Sequence, residues 1–319
     1  MEKKCWFISG GAGFIGANFI KYIMETYPDD EVICFDKLTY AGNLNNIERY
    51  IENPRFKFIK GDICSESDVR HALENFKVDY LVNFAAETHV DRAILDPLIF
   101  IKTNVDGVGV LLNAVNEFKI PRFHQVSTDE VYGDIKKKDE KPSFKEDSAL
   151  NPSSPYSASK AGGDLLCISY FKTYGTPITI SRCTNNYGIM QNEEKLIPNV
   201  ISRLKRNEEV HIYGDGTNMR DWIHVMDHSR AIDLIVRKGR VGEIYNVAGN
   251  NEYSNNEIVH KILKIMDKPE SLIKYVEDRP GHDFRYSLNC SKIEKELGFA
   301  RFFDFDDSIE EVVKWYLEN

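Results

Sequence analysis

The chain reads Thr128-Asp129-Glu130 at the end of an apolar run from Phe123 to Ser127, and 26 residues beyond Glu130 it reads Tyr156-Ser-Ala-Ser-Lys160. These supply a hydroxyl, an acid, a base, a phenol and an ammonium. A carboxylic acid beside a carboxylate can divide acid and base work between neighbouring substrate atoms. Tyr156 and Lys160 are four residues apart, so on a helix they share a face. There an ammonium favours the phenolate of a group whose unperturbed pKa is about 10. Tyr-x-x-x-Lys alone is a weak signal, because ordinary amphipathic helices produce it by chance. Its position in the chain gives it weight.

Upstream lies a nucleotide site. An apolar strand, Cys5 to Ser9, runs into Gly10-Gly11-Ala12-Gly13-Phe14-Ile15-Gly16, and a helical pattern follows through Tyr27. Gly10, Gly13 and Gly16 allow a tight turn, backbone approach to a pyrophosphate and close helix-to-strand packing, while free helix N–H groups receive the negative charge. The alternative, a glycine-rich turn without a ligand, does not require this strand and helix context. Twenty residues past Gly16 a second apolar run ends at Asp36. Its carboxylate suits an adenosine ribose and repels the extra phosphate of NADP, which favours NAD; Lys37 beside it softens that preference. A third run ends in Gly61-Asp62-Ile63, suited to an adenine edge. A fourth ends in Ala85-Ala86, small enough for a flat ring and its pyrophosphate to pass.

Positioning these groups requires strands alternating with helices. That alternation continues to about residue 180 and predicts an α/β fold, a doubly wound parallel sheet of the Rossmann type with a smaller α/β C-terminal substrate domain. The expected division is 1–180, rejoined by about 221–247, for NAD, and 181–220 with 248–319 for a sugar nucleotide. Ligand chemistry then belongs at the C-terminal strand ends, where Thr128 sits. Ser153 and Ser154 before Pro155 mark the start of the helix carrying Tyr156.

With 319 residues the chain can hold both cores, and a net charge of −9 disfavours a nucleic-acid groove. Its six cysteines lack Cys-x-x-Cys spacing and read as reduced packing residues of a cytoplasmic protein. His224-x-x-x-His228 lacks the central carboxylate of a metalloprotease helix, so no metal is expected. No signal peptide, membrane span or lipidation pattern is read. Arg220 beside Trp222, and Arg279 and Arg285 around Pro280-Gly281-His282-Asp283, occupy loop-like places that suit a diphosphate and a base; surface arginines are the bland alternative.

With Tyr156 and Lys160, the glycine loop resembles the extended short-chain dehydrogenase/reductases. Within them the chain is similar to the nucleoside-diphosphate-glucose 4,6-dehydratases, lyases best known for dTDP-glucose. The matching pieces are Asp36-Lys37-Leu38-Thr39-Tyr40-Ala41-Gly42-Asn43, Glu87-Thr88-His89-Val90-Asp91-Arg92, Thr128-Asp129-Glu130-Val131-Tyr132-Gly133, Asn185-Asn186-Tyr187-Gly188 and Arg279-Pro280-Gly281-His282-Asp283. The resemblance implies a redox-neutral dehydration with NAD⁺ kept in the site. Tyr156, helped by Lys160, takes the C4 hydroxyl proton as hydride leaves C4, and Thr128 binds the C4 oxygen. Glu130 then removes the C5 proton while Asp129 protonates the departing C6 hydroxyl, and hydride returns to C6.

Carried over by position, the resemblance puts cofactor contacts at Phe14, Ile15, Asp36, Lys37, Leu38, Thr39, Asp62, Ile63, Ala85, Thr103 and Asn186. Substrate contacts fall on Thr88, Asn185, Lys195 with its neighbour Glu194, Leu196, Tyr213, Arg220, Asn255, Arg279 and His282. It also implies a homodimer formed by the helix after Asn104 and the helix beginning near Tyr156. One loop departs. Thymidine-using members typically read Tyr-Gly-Pro-Tyr-(His or Gln)-Phe-Pro-Glu-Lys, whereas this chain reads Tyr187-Gly188-Ile189-Met190-Gln191-Asn192-Glu193-Glu194-Lys195. Since dTDP and UDP differ at the base by one methyl, worth about 1–3 kcal/mol, either sugar nucleotide is a candidate. A sugar-nucleotide 4-epimerase would need the glycine loop, Tyr156 and Lys160 but neither carboxyl group, and a non-catalytic NAD-sensing binding protein would retain the fold but have no reason to keep both Tyr156 and Lys160.

Overall fold

The computed structural model describes residues 2–135, 143–278 and 282–319, apart from the side chains of Val90 and Asp91. In chain order the strands are β1 (Cys5–Ser9), β2 (Glu31–Asp36), β3 (Phe56–Lys60), β4 (Tyr80–Asn83), β5 (Arg122–Thr128), β6 (Ile178–Cys183), β7 (Asn185–Tyr187), β8 (Val210–Tyr213), β9 (Met219–His224), β10 (Ile244–Val247), β11 (Glu252–Ser254) and β12 (Ile273–Val276). Seven of them form one sheet in the order β10-β6-β5-β4-β1-β2-β3, every neighbouring pair parallel. This is the doubly wound Rossmann-type sheet expected from the alternation of strand and helix patterns.

All five residues of β1 are buried, as a strand covered on both faces requires. Trp6 and Ile8 pack with Phe19, Ile20 and Ile23 of the Phe14–Thr26 helix and with Ile232 and Val236 of the Val225–Lys238 helix. Phe7 packs on the other face with Leu111, Leu112 and Val115 of the Gly107–Glu117 helix and Cys167 of the Pro155–Tyr174 helix. The chain leaves the sheet in opposite directions from β1 and β4, and this switch point opens the crevice in which the glycine loop sits.

A second unit forms around β11-β9-β7 and β12-β8, with a core that includes Tyr187, Ile197, Trp222, Ile258 and Phe305. Within 221–247, β9 pairs in the small sheet because Trp222 belongs to that core. The return to the large sheet is made by the Val225–Lys238 helix and β10. The helical stretch Pro97–Glu117 is, among the described residues, the one long and apolar enough to cross a membrane. Its second half is committed to the protein core by Leu111, Leu112 and Val115.

That stretch is interrupted by a π-type turn, Lys102–Asp106. Glu87 N donates to Asn104 Oδ1 (2.9 Å), while Asn104 Nδ2 donates to Glu87 O (3.0 Å) and to Ser159 Oγ (2.8 Å). Asn104 therefore ties the end of β4 to the helix carrying Tyr156 and Lys160. A Cβ on Gly163 of that helix would stand 2.5 Å from Asn104 O, so this close approach requires glycine.

Candidate active site

The cleft at the switch point has a volume of about 310 Å³, at the lower end of the ~300–1,000 Å³ of ligand pockets. Gly10 begins it with φ +71°, and a Cβ there would stand 2.5 Å from Ala85 N; a Cβ on Gly16 would stand 2.3 Å from Gly10 O. Gly13 differs, since its Cβ would meet nothing nearer than Gly10 O at 3.4 Å. Protein packing thus demands Gly10 and Gly16, and Gly13 keeps a passage open. The Phe14–Thr26 helix that follows has no side-chain cap and no acid in its first turn, so its free N–H groups face the cleft as an anion site. The residues fit the diphosphate of a dinucleotide. Gly13→Ala should leave the melting temperature of the nucleotide-free protein nearly unchanged. By titration calorimetry its NAD affinity should fall roughly ten- to hundredfold, as overpacking costs about 1–3 kcal/mol.

Asp36 is buried at the end of β2 and accepts from Ala12 N (2.9 Å) and Leu38 N (2.7 Å). Burial raises its pKa and the two amides oppose the rise. Lys37 does not stand free to soften the choice of cofactor, because its ammonium pairs with Asp62 at 2.8 Å. Gly10, Gly13, Phe14, Ile15, Gly16, Asp36, Lys37, Thr39, Asp62, Ile63, Ala85, Ala86, Thr103 and Asn186 all line the cleft. Leu38 does not; it packs against the core and offers the cleft only the amide that fixes Asp36.

A buried polar row carries order from this cleft to the chemistry. Ser9 Oγ donates to Asn83 Oδ1 (2.7 Å) and Asn83 Nδ2 to Gln125 Oε1 (2.9 Å), linking β1, β4 and β5. At the end of β5, Thr128 Oγ1 donates to Asp129 Oδ1 (3.1 Å) and accepts from Glu130 N (3.3 Å). Asp129 is 2% exposed and its Oδ2 is buried without a partner. Burial first, and the neighbouring Glu130 second, push its pKa well above the ordinary carboxylate range, while Thr128 and Arg220 pull the other way. Its surroundings favour the acid form over the carboxylate.

Tyr156 and Lys160 line the same wall, on a helix started by a Ser154–Ser157 capping box and Pro155. The ammonium of Lys160 donates to Val126 O at 2.7 Å. The i, i+4 spacing puts both residues on one face, yet the longer lysine reaches the carbonyl of β5. Burial pushes Tyr156 well above 10 and Lys160 below its usual value. Among the protein's own groups, the phenolate-favouring effect expected from Lys160 is outweighed by burial.

Of the remaining predicted contacts, Thr88, Asn185, Glu194 and Lys195 line the cleft, and Lys195 Nζ donates to Thr88 O (3.4 Å). Leu196, Tyr213, Arg220, Asn255 and His282 do not line it. Arg220 is 8% exposed and donates to the carbonyls of Met219 (2.7 Å), Asp283 (2.9 Å) and Phe284 (3.2 Å). Tyr213 is exposed, Asn255 opens the Asn255–Ile265 helix, and His282 Nδ1 lies 2.7 Å from Asp278 Oδ1. Arg279 lies outside the described residues. His224 stacks on Phe303 and His228 Nδ1–H donates to Asn186 Oδ1 at 2.9 Å. Burial lowers their pKa values to about 4 and about 3, so each is neutral, and His228 Nε2 is buried without a partner.

Sequence reasoning missed Tyr286 and Asn104. Tyr286 donates to Asp283, packs under the Arg220 guanidinium (4.7 Å), and lies close enough to Glu130 for that charge to help raise its pKa. Asp283 is three residues away, but Arg220 and Glu130 lie far away in the chain, so the local sequence does not signal this cluster.

Comparison with known proteins agrees with this geometry. The family described as GDP-mannose 4,6 dehydratase matches residues 7–312. The chain is 42% identical over 316 residues to a dTDP-glucose 4,6-dehydratase of Streptomyces niveus, covering 98% of this chain and 92% of that one. It is 45% identical to the low-salt glycan biosynthesis protein Agl12 of Haloferax volcanii, covering 97% of each. Among solved structures it is similar to the dTDP-glucose 4,6-dehydratase DesIV of Streptomyces venezuelae, crystallised with NAD. That match has a TM-score of 0.95 and 44% identity over 99% of this chain and 97% of that one.

Proposed function

The chain belongs to the GDP-mannose 4,6 dehydratase family, and from that premise we propose that Thr128, Asp129, Glu130, Tyr156 and Lys160 convert a nucleoside-diphosphate-glucose, dTDP-glucose or UDP-glucose, to its 4-keto-6-deoxy form. The enzyme is an NAD-dependent hydro-lyase. The observation that carries the residue roles is Asp129, buried with its Oδ2 unpartnered next to Glu130, in the cleft that also holds the glycine loop.

NAD⁺, held by the glycine loop and Asp36, supplies a hydride acceptor for C4 and a hydride donor for C6. Tyr156 Oη, ionised once the positive charge of bound NAD⁺ adds to that of Lys160, takes the C4 hydroxyl proton, and Thr128 Oγ1, turned from Asp129, donates to the C4 oxygen. A ketone at C4 makes the C5 proton acidic, and the Glu130 carboxylate removes it. Asp129, kept protonated by burial, gives its proton to the C6 hydroxyl, which leaves as water. The electron pair from the C5–H bond becomes the C5–C6 double bond. When C6 is reduced, the proton held on Glu130 returns to C5. Glu194 and Lys195 contribute to the wall of the cleft. Incubation with dTDP-glucose or UDP-glucose and catalytic NAD⁺ tests the reading: product mass should fall by one water without net accumulation of reduced nicotinamide. Unchanged mass with an inverted C4 would replace it with epimerisation.

The partner is a second copy of the chain. Supporting this, Ile94, Leu95, Leu98, Ile101 and Leu165 are exposed on the Val90–Leu95, Pro97–Ile101 and Pro155–Tyr174 helices, with Leu95 at 86% and Leu98 at 71%. Such a group of apolar side chains marks an association surface. Leu98→Glu is expected to move the protein from dimer to monomer by light scattering; an unchanged mass would place the interface elsewhere. A cytoplasmic location accords with cysteines held as free thiols.

A further inference from the structure

The loop that departs from the family's usual reading, Ile189 to Glu193, is anchored on the dinucleotide side of the cleft. Asn18 Nδ2, on the helix that follows the glycine loop, donates to Ile189 O (3.0 Å), and Met190, at φ +69°, packs against the core beneath β1 and β2. Asn192 Nδ2 reaches Tyr40 O (3.4 Å), within the Thr39–Gly42 segment that lines the opposite lip. The loop is pinned from behind by the last helix: Gln191 N donates to Tyr316 Oη (2.8 Å), and the Tyr316 hydroxyl faces Gln191 O (3.0 Å) and Gly188 O (3.2 Å). Gln191 lines the cleft and spends its Nε2 on Asn186 O (3.1 Å), while its Oε1 is buried without a partner. An acceptor left unmatched at a cleft wall is costly unless a bound donor completes it.

From this we infer that Tyr316 is a positioning residue that holds Gln191 and Asn192 across the dinucleotide, so that this loop governs retention of the cofactor and does not select the nucleobase. The inference rests on the reading that the glycine-loop cleft binds NAD. One hydroxyl of Tyr316 fixes three backbone groups of the loop, and Asn192 closes the contact to the facing lip. Removing either loosens the strap without touching the carboxyl pair or the residues of the smaller unit.

The test loads wild type, Tyr316→Phe and Asn192→Ala with NAD and follows its release by rapid gel filtration. Each variant's kcat/KM is also measured for dTDP-glucose and for UDP-glucose. Release is expected to quicken about three- to tenfold in both variants, the range for loss of one hydrogen bond, with the ratio of the two efficiencies held within about twofold. Wild-type release rates in both variants would overturn the inference, as would a changed base ratio with unchanged release. Failure of wild type to take up NAD would instead overturn the function on which it rests.

Discussion

Replacing Glu130 with Gln should lower dehydration by about 10²–10⁴-fold, the range for loss of a positioned acid or base, while oxidation at C4 survives. In the proposed mechanism the two steps use different groups. The C4 hydroxyl proton would go to Tyr156, on the long helix that lines the cleft, whereas the C5 proton would have only the carboxylate at 130 to receive it. A glutamine keeps the side-chain shape and cannot take a proton. The variant should therefore accumulate reduced nicotinamide up to the amount of enzyme, form little 4-keto-6-deoxy product, and lose incorporation of solvent deuterium at C5. Product formation near the wild-type rate would remove Glu130 from the mechanism and revive the epimerase reading, which makes no use of that carboxylate.

The part of the site legible in the sequence is the part made by short stretches of chain. Gly10 to Gly16 and Asp36 declare a parallel sheet with a dinucleotide crevice because each is a strand end followed by a backbone requirement: Gly10 for its positive φ, Gly16 for its approach to Gly10 O. Thr128-Asp129-Glu130 is likewise one strand end, and its neighbours in sequence are its neighbours in space. What escaped depends on which distant carbonyl or ring a long side chain meets. Lys160 shares a face with Tyr156 by helical spacing, but only the packing of its helix on β5 decides that the ammonium reaches Val126 O. Arg220 was legible as an arginine in a loop-like place, and its burial under three carbonyls was not. Asn104 sits among Lys102, Thr103 and Asp106, one polar residue of several, and gave no sign of joining β4 to the helix carrying Tyr156. Tyr316 sits in an amphipathic terminal helix whose pattern reads as core packing, and its hydroxyl becomes informative only when Gln191 is seen against it.

Asp129→Asn should move activity and stability in opposite directions. Asp129 is nearly inaccessible, and burial with Glu130 beside it raises its pKa well above 3.8. The fold therefore favours its acid form, which the unfolded chain gives up more readily. Unfolding then releases a proton, so its contribution to stability is intact below the unfolded pKa and is lost progressively as pH rises toward the folded pKa. Asparagine is neutral in both states and escapes that loss. The variant should melt above wild type at neutral pH, with the gap closing as pH falls through the ordinary carboxylate range near 3.8. Turnover should drop about 10²–10³-fold, because the amide cannot deliver a proton to the leaving C6 hydroxyl. Wild-type activity should itself decline as pH rises through the raised pKa, and the residual activity of the variant should lack that limb. A residue kept for packing would show the reverse pattern, in which the substitution costs stability and spares turnover. A less stable variant with near-wild-type activity at neutral pH would dismiss Asp129 as the acid. A stabilised, slow variant would show that the fold gives up stability at this position to keep a carboxylic acid neutral where water must leave.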